Sequence, residues 1–255
     1  MKAAKILLFG LMVLPVLTFG QERVQAEDII DLINDGRPVR YQNAVIIGDL
    51  DFSSIEEVTA DKLLRRSRWS TQSYKCHVNS PISFTNCMFQ GDVLAYVHIE
   101  RKKETYNAVF YENVSFEGCE FEEASAFKYA KFEKGANFEN TQYSEEALFK
   151  YTKFSTDVNF TGSEFDGYAN FKYTKFPEGA DFSQTVFHRY ADFKYTKFPE
   201  GVNFNDAEFQ GTANFKYTKF SEPLNFEGVE FDGETDFKYT SIDGRSFTSY
   251  LLKKR

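Results

Sequence analysis

Phenylalanine returns every five or six residues through the second half of this chain, and the cycle closes after 22 residues. The segment FKYTKF begins at Phe149, Phe171, Phe193 and Phe215, with the variants FKYAKF at Phe127 and FKYTSI at Phe237. A fixed period of this length marks a solenoid, in which each repeat is one coil stacked on the last. This restricts the architecture far more than it restricts the activity.

In register the aromatics make four columns. The first holds Phe116, Phe138, Phe160, Phe182, Phe204 and Phe226; the second holds Phe121, Tyr143, Phe165, Phe187, Phe209 and Phe231. The third holds Phe127, Phe149, Phe171, Phe193, Phe215 and Phe237; the fourth holds Phe132, Phe154, Phe176, Phe198, Phe220 and Ile242. A helix would space its apolar residues three and four apart, and a half-buried strand would alternate. Steps of five and six fit a chain that turns a corner at each step and sends one large residue inward from each short side. Two residues before most of these aromatics lies a small side chain, as at Ala136, Thr141, Ala147, Thr152, Val158, Ser163, Ala169 and Thr174. One large and one small residue per side fill a narrow interior without voids. Each buried Phe contributes roughly 1.5–3 kcal/mol, so a thin rod of this kind has ample driving force.

Runs such as Ala169-Asn170-Phe171, Ala180-Asp181-Phe182, Ala191-Asp192-Phe193 and Ala213-Asn214-Phe215 resemble the A(D/N)F signature of pentapeptide-repeat proteins. The resemblance runs from about Phe84 to Phe247 and implies an all-β fold, a right-handed four-sided parallel β-helix. The sixth residue of alternate steps departs from the strict five-residue form. It falls at Phe165-Asp166-Gly167, Phe176-Pro177-Glu178-Gly179 and Phe198-Pro199-Glu200-Gly201. Gly there supplies positive φ and Pro pre-sets a turn, so wider corners are expected rather than another fold.

Residues 1–20 read as a secretory signal: Lys2 and Lys5 lead, and the apolar stretch Ile6 to Phe19 is broken by Pro15. Cleavage is expected after Gly20, or as late as Ala26; losing Lys2 and Lys5 takes the formal net charge from −8 to −10. The mature chain is therefore expected to be exported from a bacterial cell, periplasmic or secreted, acidic, and without an integral membrane segment. Residues 27–83 are expected to hold an N-terminal cap, the first strands and a loop excursion. Within and just before that span, Ala26 to Asn34 reads as a short amphipathic capping helix stopped by Asp35-Gly36. Ala44 to Phe52 reads as first strand pieces, and Ser53 to Val78, with Trp69, as the excursion. The repeat β-helix spans 84–247, interrupted at 91–110 by a hairpin or an elongated coil, and 248–255 forms a C-terminal cap or tail. Cys87 and Cys119 each precede a column aromatic by two residues, the small inward slot, where thiols act as small hydrophobes. A Cys76–Cys87 disulfide is the alternative in an oxidising compartment.

No GxSxG, HExxH, CxxC or phosphate-cradling loop occurs, and His77, His98 and His188 are scattered, with His188 at an outward position. The chain is expected not to be an enzyme and to need no cofactor or metal. Patterned chemistry lies on the outer surface instead. Lys128, Lys150, Lys172, Lys194, Lys216 and Lys238 follow the third column. Tyr129, Tyr151, Tyr173, Tyr195, Tyr217 and Tyr239 come next, and Lys131, Lys153, Lys175, Lys197 and Lys219 precede the fourth column. At a coil spacing of about 4.8 Å, these make two Lys rows flanking a stacked Tyr row. The neighbouring side carries Glu120, Glu164, Glu208, Glu230, Asp166 and Asp232.

The leading functional expectation is a non-catalytic structural or protein-interaction module of the cell envelope, whose partner is another protein. The alternative is a glycan- or polyanion-binding protein that uses the Lys–Tyr strip, Tyr offering a flat face and Lys a charge. The bland account is that Tyr covers the corner and Lys stems cover apolar surface, the rows persisting through duplication. Resemblance to the family also implies a remote alternative, since some acidic members are similar to DNA in shape and engage DNA gyrase. An exported chain does not fit that role, and no nucleic-acid partner is expected. The oligomeric state is not readable from these residues.

Overall fold

The computed structural model describes residues 21–61 and 71–251. They form a right-handed four-sided parallel β-helix, with short strands of successive coils pairing into long ladders on each side. The four aromatic columns lie inside, one to a side, and every column residue from Phe84 to Phe220 is buried. Rings within a column stack nearly parallel, as in Phe149–Phe171 at 5.1 Å and 6°. Rings of neighbouring columns meet edge to face, as in Phe171–Phe182 at 5.3 Å and 86°. Both arrangements suit the ring quadrupole, each contributing about 0.5–1.5 kcal/mol beyond area burial.

The small inward slot carries a second duty. Thr152, Thr174, Thr196 and Thr218 are buried, and their Oγ1 hydroxyls donate to the carbonyls of Phe127, Phe149, Phe171 and Phe193 in the preceding coil at 2.6–2.8 Å. A buried hydroxyl without such a partner would destabilise the core, so Thr fits here only because the stack supplies an acceptor. The Asn or Asp of the A(D/N)F runs works at the next position. Asp181, Asp192 and Asn214 each accept a hydrogen bond from the backbone N–H two residues on, at 2.8–3.1 Å. These Asx turns bend the chain at the corner.

The two kinds of corner differ as the step lengths suggest. Gly179 and Gly201 have φ of 99° and 92°, as expected for wide corners. Gly167 is there for another reason: a Cβ would sit 2.2 Å from the carbonyl oxygen of Glu145 in the coil below. Five-residue corners are tight turns with a left-handed residue. On the corner between the first and second columns that residue is Asn140, Gly162, Gln184, Asp206 or Gly228.

Stacking starts earlier than the phenylalanine rhythm. Val39–Gln42 pairs in register with Ile82–Thr85, placing Tyr41 on Phe84, and Ala44–Ile47 pairs with Met88–Phe89, placing Ile46 on Phe89. The β-helix therefore begins at Val39, not at Phe84. Aliphatic residues fill its first coil, and a long insertion before the next coil breaks the period. Part of that insertion, where a loop excursion is expected, is sheet. Val58–Ala60 runs antiparallel to Gln72–Val78, which lies parallel to Glu104–Phe110. Trp69 lies outside the described residues, as do residues 1–20 with the expected signal and 252–255 of the expected tail. The 91–110 interruption contains both expected forms. Tyr96–Ile99 makes a hairpin with Glu104–Phe110, while Val109-Phe110 continues the fourth side onto Lys131-Phe132.

Helix α1 (Ala26–Asn34) closes the N-terminal end with Ala26, Ile29, Ile30 and Ile33 buried. It is preceded by a strand absent from the sequence reading, Glu22–Gln25, which pairs with Ala44–Ile47. At the other end, helix α2 (Phe247–Leu251) brings Phe247 against Phe220, Phe226 and Phe237. No helix among the described residues is long and apolar enough to cross a membrane.

All three cysteines are buried and free. Cys87 and Cys119 occupy the expected inward slots; Cys76, aligned with Ala108 on the fourth side, occupies another. Burial, then nearby Asp51, pushes the Cys76 thiol up to about 12. All three should resist a bulky thiol reagent until denaturant is added, and rapid labelling of the native protein would contradict the packing.

Two substitutions test the columns. Phe171→Asp places an unpaired carboxylate in a dry interior and should cost more than about 3 kcal/mol, read from denaturant unfolding. Tyr143 is the one column tyrosine of the repeats; its ring stacks on Phe165 but its buried hydroxyl has no hydrogen-bond partner. Tyr143→Phe should therefore stabilise the protein by about 1 kcal/mol, and an unchanged or lower Tm would mean that the hydroxyl is satisfied.

Candidate binding face

The tight corner between the third and fourth columns is unlike its counterpart across the coil. Its left-handed residue is always Tyr: Tyr129, Tyr151, Tyr173, Tyr195, Tyr217 and Tyr239 have φ of 59–63°. A backbone hydrogen bond closes each turn, as from Thr174 N–H to the Phe171 carbonyl at 3.1 Å. A left-handed conformation costs a bulky residue roughly 1–2 kcal/mol relative to the right-handed one. Gly, Asn, Asp and Gln fill the equivalent place across the coil, so the geometry alone does not require Tyr.

What offsets the strain is the row itself. Successive Tyr rings are 4.7–4.9 Å apart with interplanar angles of 1–18°. Each inner ring has two stacked neighbours, which together roughly match the backbone cost. This corrects one part of the sequence reading. The ring faces are not open to a ligand, because neighbouring tyrosines cover them; the row presents ring edges and phenolic hydroxyls. A sugar ring therefore cannot lie flat along the row, although Tyr239, at its C-terminal end, is 60% exposed.

The lysines lie where the sequence puts them. Nζ atoms of Lys128, Lys150, Lys172, Lys194, Lys216 and Lys238 are 5.1–5.9 Å from the centroid of the following Tyr ring. Cation–π attraction at such half-exposed sites contributes about 0.5–1 kcal/mol. Lys128 also reaches the Tyr96 hydroxyl at 3.3 Å. In the second row, Lys131 pairs with Lys153, Lys153 with Lys175, Lys175 with Lys197, and Lys197 with Lys219 across adjacent strands. Like charges directly opposite repel. Lys131 is balanced by Glu133, whose carboxyl is held below its usual range chiefly by that lysine. Among the described residues, no carboxylate lies within 4.0 Å of the amines of Lys150, Lys172, Lys194, Lys216, Lys238, Lys153, Lys175, Lys197 or Lys219. Burial, then Lys172 and Lys128, pushes the Lys150 amine below its usual value.

Non-repeating strands wall the N-terminal end of this face. The sheet built from Gln72–Val78, Tyr96–Ile99 and Glu104–Phe110 runs past the corner and overhangs the first Lys–Tyr coils. Between them lies a cleft of about 810 Å³, lined on one side by Ser73, Lys75, Tyr96, His98 and Asn107, and on the other by Lys128, Tyr129, Lys131, Tyr151 and Lys153. A shallower cleft of about 590 Å³ shares Tyr129, Lys131, Tyr151 and Lys153 and continues to Tyr173 and Lys175. Sequence reasoning missed Tyr96, His98 and Asn107 because they lie outside the period; only the β-rich pattern around 96–110 marks them.

The second side carries Glu120, Glu164, Glu208 and Glu230 in one ladder, but Gln142 and Val186 interrupt it. Asp166 and Asp232 lie just past it. His77 is engaged by the Tyr111 and Thr59 hydroxyls at 2.9 and 2.6 Å. His188 is not merely solvated, since it lies against Asp166 and Gln210.

A family model described as pentapeptide repeats (9 copies) matches residues 106–153, 149–197 and 193–241. Comparison with curated proteins and with solved structures found no match. The match spans more than half of the chain and covers the coils whose Phe columns and Asx corners are described above, so the protein belongs to the pentapeptide-repeat family.

Proposed function

We propose that this protein is an exported, non-catalytic solenoid that serves as a structural or protein-interaction module of the bacterial envelope, and that its recognition surface is the Lys–Tyr corner. The pentapeptide-repeat fold suggests an interaction module, and its members are generally non-catalytic. Export is supported by the signal-like composition of residues 1–20. Cleavage after Gly20 is favoured over cleavage after Ala26, because the later cut would remove the paired strand Glu22–Gln25 and the buried Val24. N-terminal sequencing of the processed protein should read Gln21 first.

One observation carries the choice of surface: six tyrosines kept in a left-handed conformation that smaller residues fill elsewhere on the same coils. It supports the second reading, a linear polyanion. The Tyr row holds the first Lys row beside it, and from Lys153 onward the second row stacks at the coil spacing with no carboxylate on its amines among the described residues. A partner with regularly spaced negative charge relieves that repulsion. The same rows argue against a DNA mimic, which needs an anionic surface there.

An anionic-polysaccharide column tests this. Wild type should be retained at low salt and released as salt rises, since contacts between exposed charges are screened. Lys150→Gln, Lys172→Gln and Lys194→Gln together should keep the fold and weaken retention. Absence of retention by wild type, or equal retention of the triple variant, would leave the plain protein-interaction scaffold.

A further inference from the structure

We infer that Glu164, Asp166 and His188 form a binding site for a divalent transition-metal ion on the second side, away from the Lys–Tyr corner. Glu164 and Asp166 flank Phe165, and His188 follows Phe187, which pairs with Phe165 one coil later. Strand alternation turns all three side chains outward while the coil spacing brings them together. His188 Nε2 lies 3.3 Å from Asp166 Oδ1 and 3.8 Å from Glu164 Oε2, and one ligand atom from each residue lies within 4.8 Å of the others. Ligands at about 2.0–2.2 Å from a tetrahedral ion are separated by about 3.4 Å. The two separations from His188 are thus already near the spacing of one face of such a site, and the third lies within 4.8 Å.

The surrounding side chains orient two of the three ligands, His188 and Asp166, as an outer shell does. His188 Nδ1 is 2.9 Å from Gln210 Oε1, and Gln210 Nε2 donates to Glu208 at 3.1 Å. That second contact fixes the Gln210 oxygen as the acceptor, so Nδ1 carries the hydrogen and Nε2 is the nitrogen that faces the carboxylates. Gln142 Nε2 donates to Asp166 Oδ2 at 2.9 Å, leaving Oδ1 to point at His188. A neutral imidazole would then aim a lone pair at two carboxylates, an arrangement that a cation resolves.

The site also falls where the repeat departs from itself. The position of His188 holds Glu122, Ser144, Gln210 and Asp232 in other coils, and that of Val186 holds glutamate or glutamine. His188 is the sole histidine between residues 106 and 241. One imidazole and two carboxylates suit Zn²⁺, Ni²⁺ or Cu²⁺ better than Mg²⁺ or Ca²⁺, which take all-oxygen shells.

The competing account is an imidazolium held by the two carboxylates with no metal, and the test separates them. Untagged, chelator-stripped protein is titrated with zinc chloride by calorimetry at about pH 7.5, above the ordinary imidazole range. Wild type should bind one ion per chain saturably and gain Tm with zinc. His188→Gln and Asp166→Asn should each lose at least about tenfold in affinity, and Gln210→Leu about tenfold through loss of ligand orientation. His98→Gln should bind as wild type does. Circular dichroism without zinc should be the same for all, since these side chains lie outside the core. No saturable binding by wild type, or equal zinc affinity in His188→Gln, would overturn the proposal and leave a salt bridge only.

Discussion

The filling of the interior by stacked phenylalanine rings governs everything else on this molecule. Each side of a coil contributes one ring, and that ring lies on the ring of the coil below, as Phe160 lies on Phe138 and under Phe182. A slip of one residue along a strand would turn the ring to solvent and bring a polar neighbour such as Asn159, Glu164 or Lys172 inside. The penalty for that slip holds the coils in strict register. Register then places every outward side chain over its equivalent at about 4.8 Å, whether the pair attracts or repels. The Tyr stack and the repelling Lys pairs are both consequences of one interior constraint.

The repeating part of the fold was legible for the same reason. A column of Phe at fixed steps admits few geometries, and the small inward slot, the Asx corners and the wide Pro-Gly corners are all visible as residue types at fixed offsets. The first coil was legible only in part: Ala44 to Phe52 reads as strand pieces and holds the strands Ala44–Ile47 and Leu50–Asp51. Its place in the stack is hidden, because Tyr41, Ile46 and Phe52 fill the coil without a repeated motif and a long insertion separates it from Phe84. Cys76 escaped the column reading likewise, since the strand that carries it lies inside that insertion. Buried packing imposes volume, and aliphatic side chains satisfy volume without advertising a period.

The Lys and Tyr positions of the candidate face were legible as rows, but their physical state was not. Composition suggested flat rings open to a ligand; the left-handed backbone instead stacks the rings on one another and presents their edges. The overhanging sheet that turns one end of the row into a cleft came from residues 72–78 and 96–110, which carry no repeat. A surface made only of repeats is uniform along its length. The overhang is what distinguishes one stretch of this corner from the next and gives a partner a place to begin.

Duplication makes every coil alike, so information beyond the scaffold resides in departures from the repeat. Tyr143 departs at a buried position and leaves a hydroxyl without a partner, which marks a tolerated drift in the core. Val186 and His188 depart together at outward positions of one coil, where packing exerts little pressure. There the histidine joins the carboxylates of the preceding coil in a mixed nitrogen and oxygen cluster with oriented neighbours. Drift at one exposed residue is common, but drift that converges two coils on a common point, with the remaining atoms of Asp166 and His188 already hydrogen-bonded, is what a coordinating site requires. In a solenoid, the search for chemistry therefore begins where the period fails on the outside while it still holds on the inside.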